Sequence, residues 1–171
     1  MLIHCRKAAK LVGGTPLDRP EDVEIHPKTG HVYVTLTNNK KAGNLHGAIM
    51  KIEPHNGDHS SEKFKMDTFL AGGEDTGFSC PDNLAFDSKG NLWMCCDVST
   101  SSVGKGDYKP FKNNSLFYIP MSGPHAGRAL RVAAGPVDSE LTGISFSGDG
   151  KSMFLSVQHP GESSKSLDKL T

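Results

Sequence analysis

Four carboxylates, Glu21, Asp82, Asp97 and Glu140, are scattered over the chain, yet each stands at a matching end of an internal repeat. Brought to one poorly hydrated spot, they could not all stay ionised without cations. Joined by amide oxygens such as those of Asn38 and Asn83, they make an oxygen-rich shell suited to hard cations, Ca2+ above all. Arg19 adds a planar fork fitted to a carboxylate or a phosphate. His159-Pro160-Gly161-Glu162 offers a ligand, a proton carrier or a tight turn. No Ser or Cys has a convincing His and acid beside it, so no side-chain nucleophile stands out. The plainer reading of the acids is that residues ahead of a strand tie down loops through backbone N–H groups.

What would bring these carboxylates together is a module met three times. Leu17 to Val23, Ser79 to Leu84 and Ser139 to Ile144 each lead into a short apolar strand, a glycine turn and a second strand. Val23, Leu84 and Ile144 are 61 and 60 residues apart, and Tyr33, Trp93 and Phe154 follow them at matching depth. A repeat of short strands at that period predicts blades of a β-propeller. In such a fold the first strand of a blade lies nearest the axis and the second runs back antiparallel to it. Residues just before strand one and just after strand two therefore share one mouth. Those positions hold Arg19, Glu21, Asp22, Asn38 and Asn39, then Asp82, Asn83 and Asp97, then Glu140, Thr142, His159 and Glu162. The glycine turns lie at the far end, where their charged residues serve turn chemistry.

The expected fold is all-β, a partial propeller of about two and a half four-stranded blades after a short N-terminal helix. Ala8, Leu11 and Val12 fall at helical spacing and Gly13-Gly14 ends the pattern. Blades are expected over 15–73 and 74–136, a partial blade over 137–162 and a polar tail over 163–171. Closed propellers have roughly four to eight blades. The expectation is therefore a single domain that is part of a longer chain, or one that self-associates or joins missing blades. The Lys40-Lys41 pair and the stretch from Lys105 to Lys112 read as solvated loop charge.

Composition narrows the function classes. Nineteen basic residues balance nineteen acidic ones, so no net field favours nucleic acid or an anionic membrane. No apolar run is long enough to span a bilayer, and the first residues lack the apolar stretch of a signal sequence. Cys5, Cys80, Cys95 and Cys96 show no C-x-x-C spacing, and the adjacent pair would point to opposite faces of a strand.

Taken in order from about Ala8 to Glu162, several motifs together resemble the C-terminal part of PhoX-type alkaline phosphatases. They are Leu17-Asp18-Arg19-Pro20-Glu21-Asp22 with Thr35-Leu36-Thr37-Asn38-Asn39, Cys80-Pro81-Asp82-Asn83-Leu84, Leu141-Thr142-Gly143 and Val157-Gln158-His159-Pro160-Gly161-Glu162. The resemblance implies a larger, six-bladed propeller exported by the twin-arginine route, hence periplasmic or extracellular. It implies hydrolysis of phosphate monoesters by a calcium and iron cluster at the channel mouth. Glu21 and Asp97 look like metal ligands of that cluster, Asp82, Asn83 and Glu140 like further ones, and Arg19 like a phosphate contact. The family's N-terminal half, with its export signal, further blades and other ligands including a cysteine, is not matched, and neither Cys80 nor Cys95 is given that cysteine's role.

Three functions follow as alternatives. One is a truncated member or fragment of a metal-dependent phosphatase, with an incomplete active site on its own. Another is a calcium-dependent, lactonase-like propeller with a similar shell around one cation. The non-enzyme alternative is a calcium-stabilised binding or assembly module.

Overall fold

The computed structural model describes residues 2–163. Strands β1 (Pro20–Ile25), β2 (Val32–Leu36), β3 (Ala48–Pro54) and β4 (Phe64–Ala71) form one antiparallel sheet in chain order. Strands β5 (Pro81–Phe86), β6 (Leu92–Cys96), β7 (Ser115–Ile119) and β8 (Leu130–Ala134) form a second of the same design. The last two, β9 (Glu140–Phe146) and β10 (Met153–Gln158), pair with each other. The first strands of the sheets are neighbours, β1 beside β5 and β5 beside β9. The fold is a partial propeller of two four-stranded blades and half of a third. Residues 164–171 of the expected tail lie outside the described residues.

Each blade turns at its far end around the side chain that closes strand one. His26 Nδ1 accepts the N–H groups of Lys28 and Thr29 at 3.1 and 3.2 Å. Asp87 Oδ1 accepts those of Lys89 and Asn91 at 3.0 and 2.8 Å, and Ser147 Oγ accepts that of Ser152 at 3.0 Å. Three different residue types thus do one job at one repeat position. Gly90 completes its turn with φ 88°, in the left-handed region open to glycine.

Apolar burial joins the blades face to face. Tyr33 meets Phe69 and Phe86 edge-on at 5.1 and 5.4 Å, within a core that includes Ile49, Leu84, Met94 and Phe117. Trp93 repeats the contact one blade later, 5.9 Å from Phe146. Cys96 belongs to the first interface and Cys95 to the second, with Leu116 and Leu141. The adjacent cysteines do face opposite ways, as period-two alternation requires.

Two elements depart from expectation. The helix forms as a single 3-10 turn, Leu2–His4, followed by α1 (Cys5–Leu11). Its apolar side is uncovered, because Leu11 and Val12 are 77% and 83% exposed and no described residue of α1 is buried. Strand β9 begins at Glu140, inside the stretch expected only to lead into it, because Glu140, Leu141 and Thr142 pair with Gln158, Val157 and Ser156.

An irregularity shared by the first strands matters most for the mouth. Pro20 pairs with Leu36 but Val23 with Val34, so β1 carries one extra residue at Glu21-Asp22. Pro81 pairs with Cys96 but Leu84 with Met94, so β5 bulges in the same way at Asp82-Asn83. A bulge re-aims the side chains it carries out of the ladder's alternation.

Candidate metal centre

Asp82 stands on the bulge of β5, Asp97 directly follows β6, and Glu140 opens β9. Each offers a carboxylate oxygen within 4.8 Å of the other two, and among the described residues this is the one such grouping of acids, His or Cys. The backbone that carries them is pinned from several sides. Thr35 Oγ1 of the first blade donates to the Asp82 carbonyl at 2.7 Å, and Asp97 N–H donates to the Cys80 carbonyl at 2.9 Å. Asn114 is buried between the other two. Its Oδ1 accepts Val98 N–H at 2.7 Å, while its Nδ2 donates to the Val98 and Ser139 carbonyls at 3.0 and 3.1 Å. It therefore clamps the residue after Asp97 to the residue before Glu140. Gln158 Nε2 steadies Glu140 by donating to Oε2 at 3.1 Å.

Burial and mutual repulsion leave these groups reluctant to ionise. Burial, then the charges of Asp97, Glu140, Glu21 and Asp22, push the Asp82 carboxyl up to about 7. Burial raises Asp97 as well, with Glu21 adding to the rise and Arg19 and His159 opposing it. Glu140 is raised by burial and then by Asp97, against the pull of His159. Such a trio gains from a cation, which relieves both the repulsion and the lost hydration.

Arg19 holds Glu21 at 3.2 Å and reaches Asn38 Oδ1 at 3.5 Å, with its guanidinium still half-exposed. Both charges act on Asp97, so Arg19 and Glu21 border the trio without entering it. Asn83 turns toward the third blade, where its Oδ1 accepts Gly143 N–H at 3.3 Å. Asp22, at the matching place one blade earlier, accepts Leu84 N–H at 2.8 Å. These two are staples between first strands, and Asp22 is engaged again by Val23 N–H at 2.8 Å. Asn39 donates to Asp18, not to the mouth. His159 closes one side, its Nδ1 3.1 Å from the Asp138 carbonyl and 3.5 Å from Glu162, its Nε2 3.7 Å from Glu140. Desolvation works against its charged form, but these neighbours raise it overall.

Asn114 and Gln158 support the site without having been assigned a role from the sequence. Gln158 has a signal in the sequence, since it precedes a histidine at the expected mouth. Asn114 has none, because its partners lie 16 and 25 residues away in the chain.

The donor set can be tested against the metals that the resemblance implies. Carboxylate oxygens alone suit Ca2+, and they also ligate iron. No described His or Cys completes a softer site within the trio.

Strand order and mouth together define a class, a β-propeller protein with an acid-rich channel mouth. The family model for alkaline phosphatase PhoX matches residues 1–161, and the chain belongs to that family. It is similar in structure to Pseudomonas fluorescens PhoX in complex with vanadate, a transition state analogue, with a TM-score of 0.86 and 36% identity. That match covers 96% of this chain and 33% of the other, so the chain spans about a third of that structure's length. Comparison with curated proteins finds no match.

Proposed function

We propose that the chain supplies the carboxylate wall of a metal-dependent centre that hydrolyses phosphate monoesters. The observation that carries this reading is the convergence of Asp82, Asp97 and Glu140 within 4.8 Å, in a chain of the PhoX alkaline phosphatase family. Ca2+ is the cation best suited to an all-oxygen site, and iron is the second metal by family resemblance. A relative in complex with vanadate, a transition state analogue, supports phosphoryl chemistry at such a centre. The working compartment proposed is periplasmic or extracellular.

When bound, the cations would neutralise phosphate oxygens and the leaving alkoxide. The chain's own residues have three tasks. Asp82, Asp97 and Glu140 would hold the cations through their carboxylate oxygens. Arg19 orients a phosphate oxygen through its guanidinium, exchanging its ion pair with Glu21 for the substrate. His159 lies between Glu140 and Glu162 at the edge of the mouth, within reach to pass a proton to a leaving group.

With a third of the relative's length, the site has few walls, and a hydrated site stabilises developing charge weakly. The purified chain should therefore turn over an aryl phosphate at alkaline pH slowly or not at all, even with Ca2+ and iron. Any turnover should vanish with chelator and in Asp97→Asn. Hydrolysis that persists with chelator would overturn the reading. Among the described residues strand β10 has no partner on its outer edge, and Phe154 and Val157 are 62% and 45% exposed, which favours self-association or docking of further blades. Light scattering should show species larger than a monomer.

A further inference from the structure

Beside the carboxylate trio lies a cleft whose charge is of the other sign. It encloses about 320 Å3 between the loop after β6 and the turn before β9, with Lys105 and Lys112 on its wall. The neighbouring cleft, about 310 Å3, contains Asp97, His159 and Glu162. The two share Val98, Thr100 and Asn114, so they are halves of one groove that begins at the carboxylates. The shared floor is rigid, because Asn114 bonds Val98 on both its N–H and its carbonyl and also holds Ser139.

The cationic half is held open by its own bonds. Lys105 Nζ donates to the Ser101 carbonyl at 3.3 Å, which folds its stem back along the loop. Asn113 Nδ2 donates to the Gly135 carbonyl at 2.7 Å and fixes the loop end beside Lys112. Asp138 also lines this half, with its Oδ2 accepting from the N–H and hydroxyl of Ser163. Two lysines thus share this half with one carboxylate, which leaves it a net positive charge. Read from sequence, Lys105 and Lys112 were solvated loop charge. They are exposed, as that reading requires, and the fold also puts them at the far end of the groove that leads from the candidate centre.

We propose that this groove selects phosphate monoesters whose leaving group carries a second negative charge. The phosphate would lie toward Asp97 and its cations, and the second anion would lie toward Lys105 and Lys112. Each half is large enough for a ring-sized group. The inference rests on the phosphatase reading above and extends it to the class of leaving group.

Binding is the informative readout, since it needs no complete catalytic site. The probes are benzylphosphonate, its 4-carboxylate and its neutral 4-carboxamide, titrated calorimetrically into the full chain with saturating Ca2+. The carboxylate should bind about tenfold more tightly than the other two, the ratio expected of one added charge-assisted contact. Lys105→Ala with Lys112→Ala should abolish that preference and leave benzylphosphonate affinity unchanged. Equal affinity of the three probes for the unsubstituted chain would overturn the inference and leave the phosphatase reading standing. Failure of every phosphonate to bind, with Ca2+ bound, would overturn both.

Discussion

The second blade places two chemically identical groups at its opposite ends and treats them in opposite ways. At the mouth, Asp82 is buried among like charges and its carboxyl is pushed up to about 7. In the far turn, Asp87 is also partly buried, which alone would raise it. Hydrogen bonds from Asn91, Trp93 and Lys89 outweigh that and hold it below the usual carboxylate range. The turn aspartate is complete within the protein, whereas the mouth aspartate needs something the protein itself does not provide. A side chain with every lone pair used stabilises the fold, and one held against its neighbours is suited to bind.

The largest effect should come from the satisfied end. Asp87→Ala removes the acceptor for Lys89 N–H, Asn91 N–H and Trp93 Nε1. It should cost about 3 kcal/mol, read from the urea midpoint. A loss as large from Asp82→Ala without metal would break the contrast.

Next in size is the response of the mouth to metal. Ca2+ at about a hundred times its dissociation constant should stabilise the chain by about 2.7 kcal/mol, seen as a higher Tm than in chelator. An unchanged Tm would remove the case for a cation site.

Opposite shifts also require opposite pH dependences. Because the folded Asp82 carboxyl lies above its unfolded value of 3.8, its stabilising contribution is full below that value and is lost as pH rises toward about 7. For Asp87 the sign reverses, so its contribution is present above the unfolded value and is lost as pH falls below it. Without metal, Asp82→Asn should thus gain on the unsubstituted chain between about pH 4 and 7. After solvent screening the gain should be on the order of 1 kcal/mol. A difference that is flat over that range would contradict the shift.

The smallest effect sharpens the comparison across blades. Thr37 occupies in the first blade the place of Asp97 in the second, its N–H bonded to the Arg19 carbonyl at 3.0 Å as Asp97 N–H is to that of Cys80. Its hydroxyl is buried with no hydrogen-bond partner among the described residues. Thr37→Val keeps the shape and should be neutral or stabilising by about 0.5 kcal/mol, measured by denaturant unfolding. A loss of 1 kcal/mol or more would reveal a role for that hydroxyl.

Much of this was legible in the chain because the repeat carries it. The spacing of Val23, Leu84 and Ile144, with an aromatic at fixed depth, gave strand order and placed Asp82, Asp97 and Glu140 at one end. Which side chains at that end stay free was not legible. Asp22 and Asn83 look as available as Asp82, yet the bulge turns them toward the next strand's N–H groups. A bulge depends on pairing between strands, and no local pattern announces it. The uncovered face of α1 was hidden for a similar reason, since helical spacing specifies an apolar side but not what covers it. Lys105 and Lys112 are exposed loop charge, as the sequence suggests, and only the fold shows that their loop borders a cleft beside the one that holds Asp97.

The central claim is that position at the mouth, rather than acidity alone, makes a cation site. Calorimetric Ca2+ titration of the unsubstituted chain, Asp97→Asn and Asp87→Asn, under conditions where all three are folded, tests it directly. The expected result is an affinity at least about tenfold weaker for Asp97→Asn, with Asp87→Asn within about twofold of the unsubstituted chain. Equal losses in the two variants, or none in either, would contradict it.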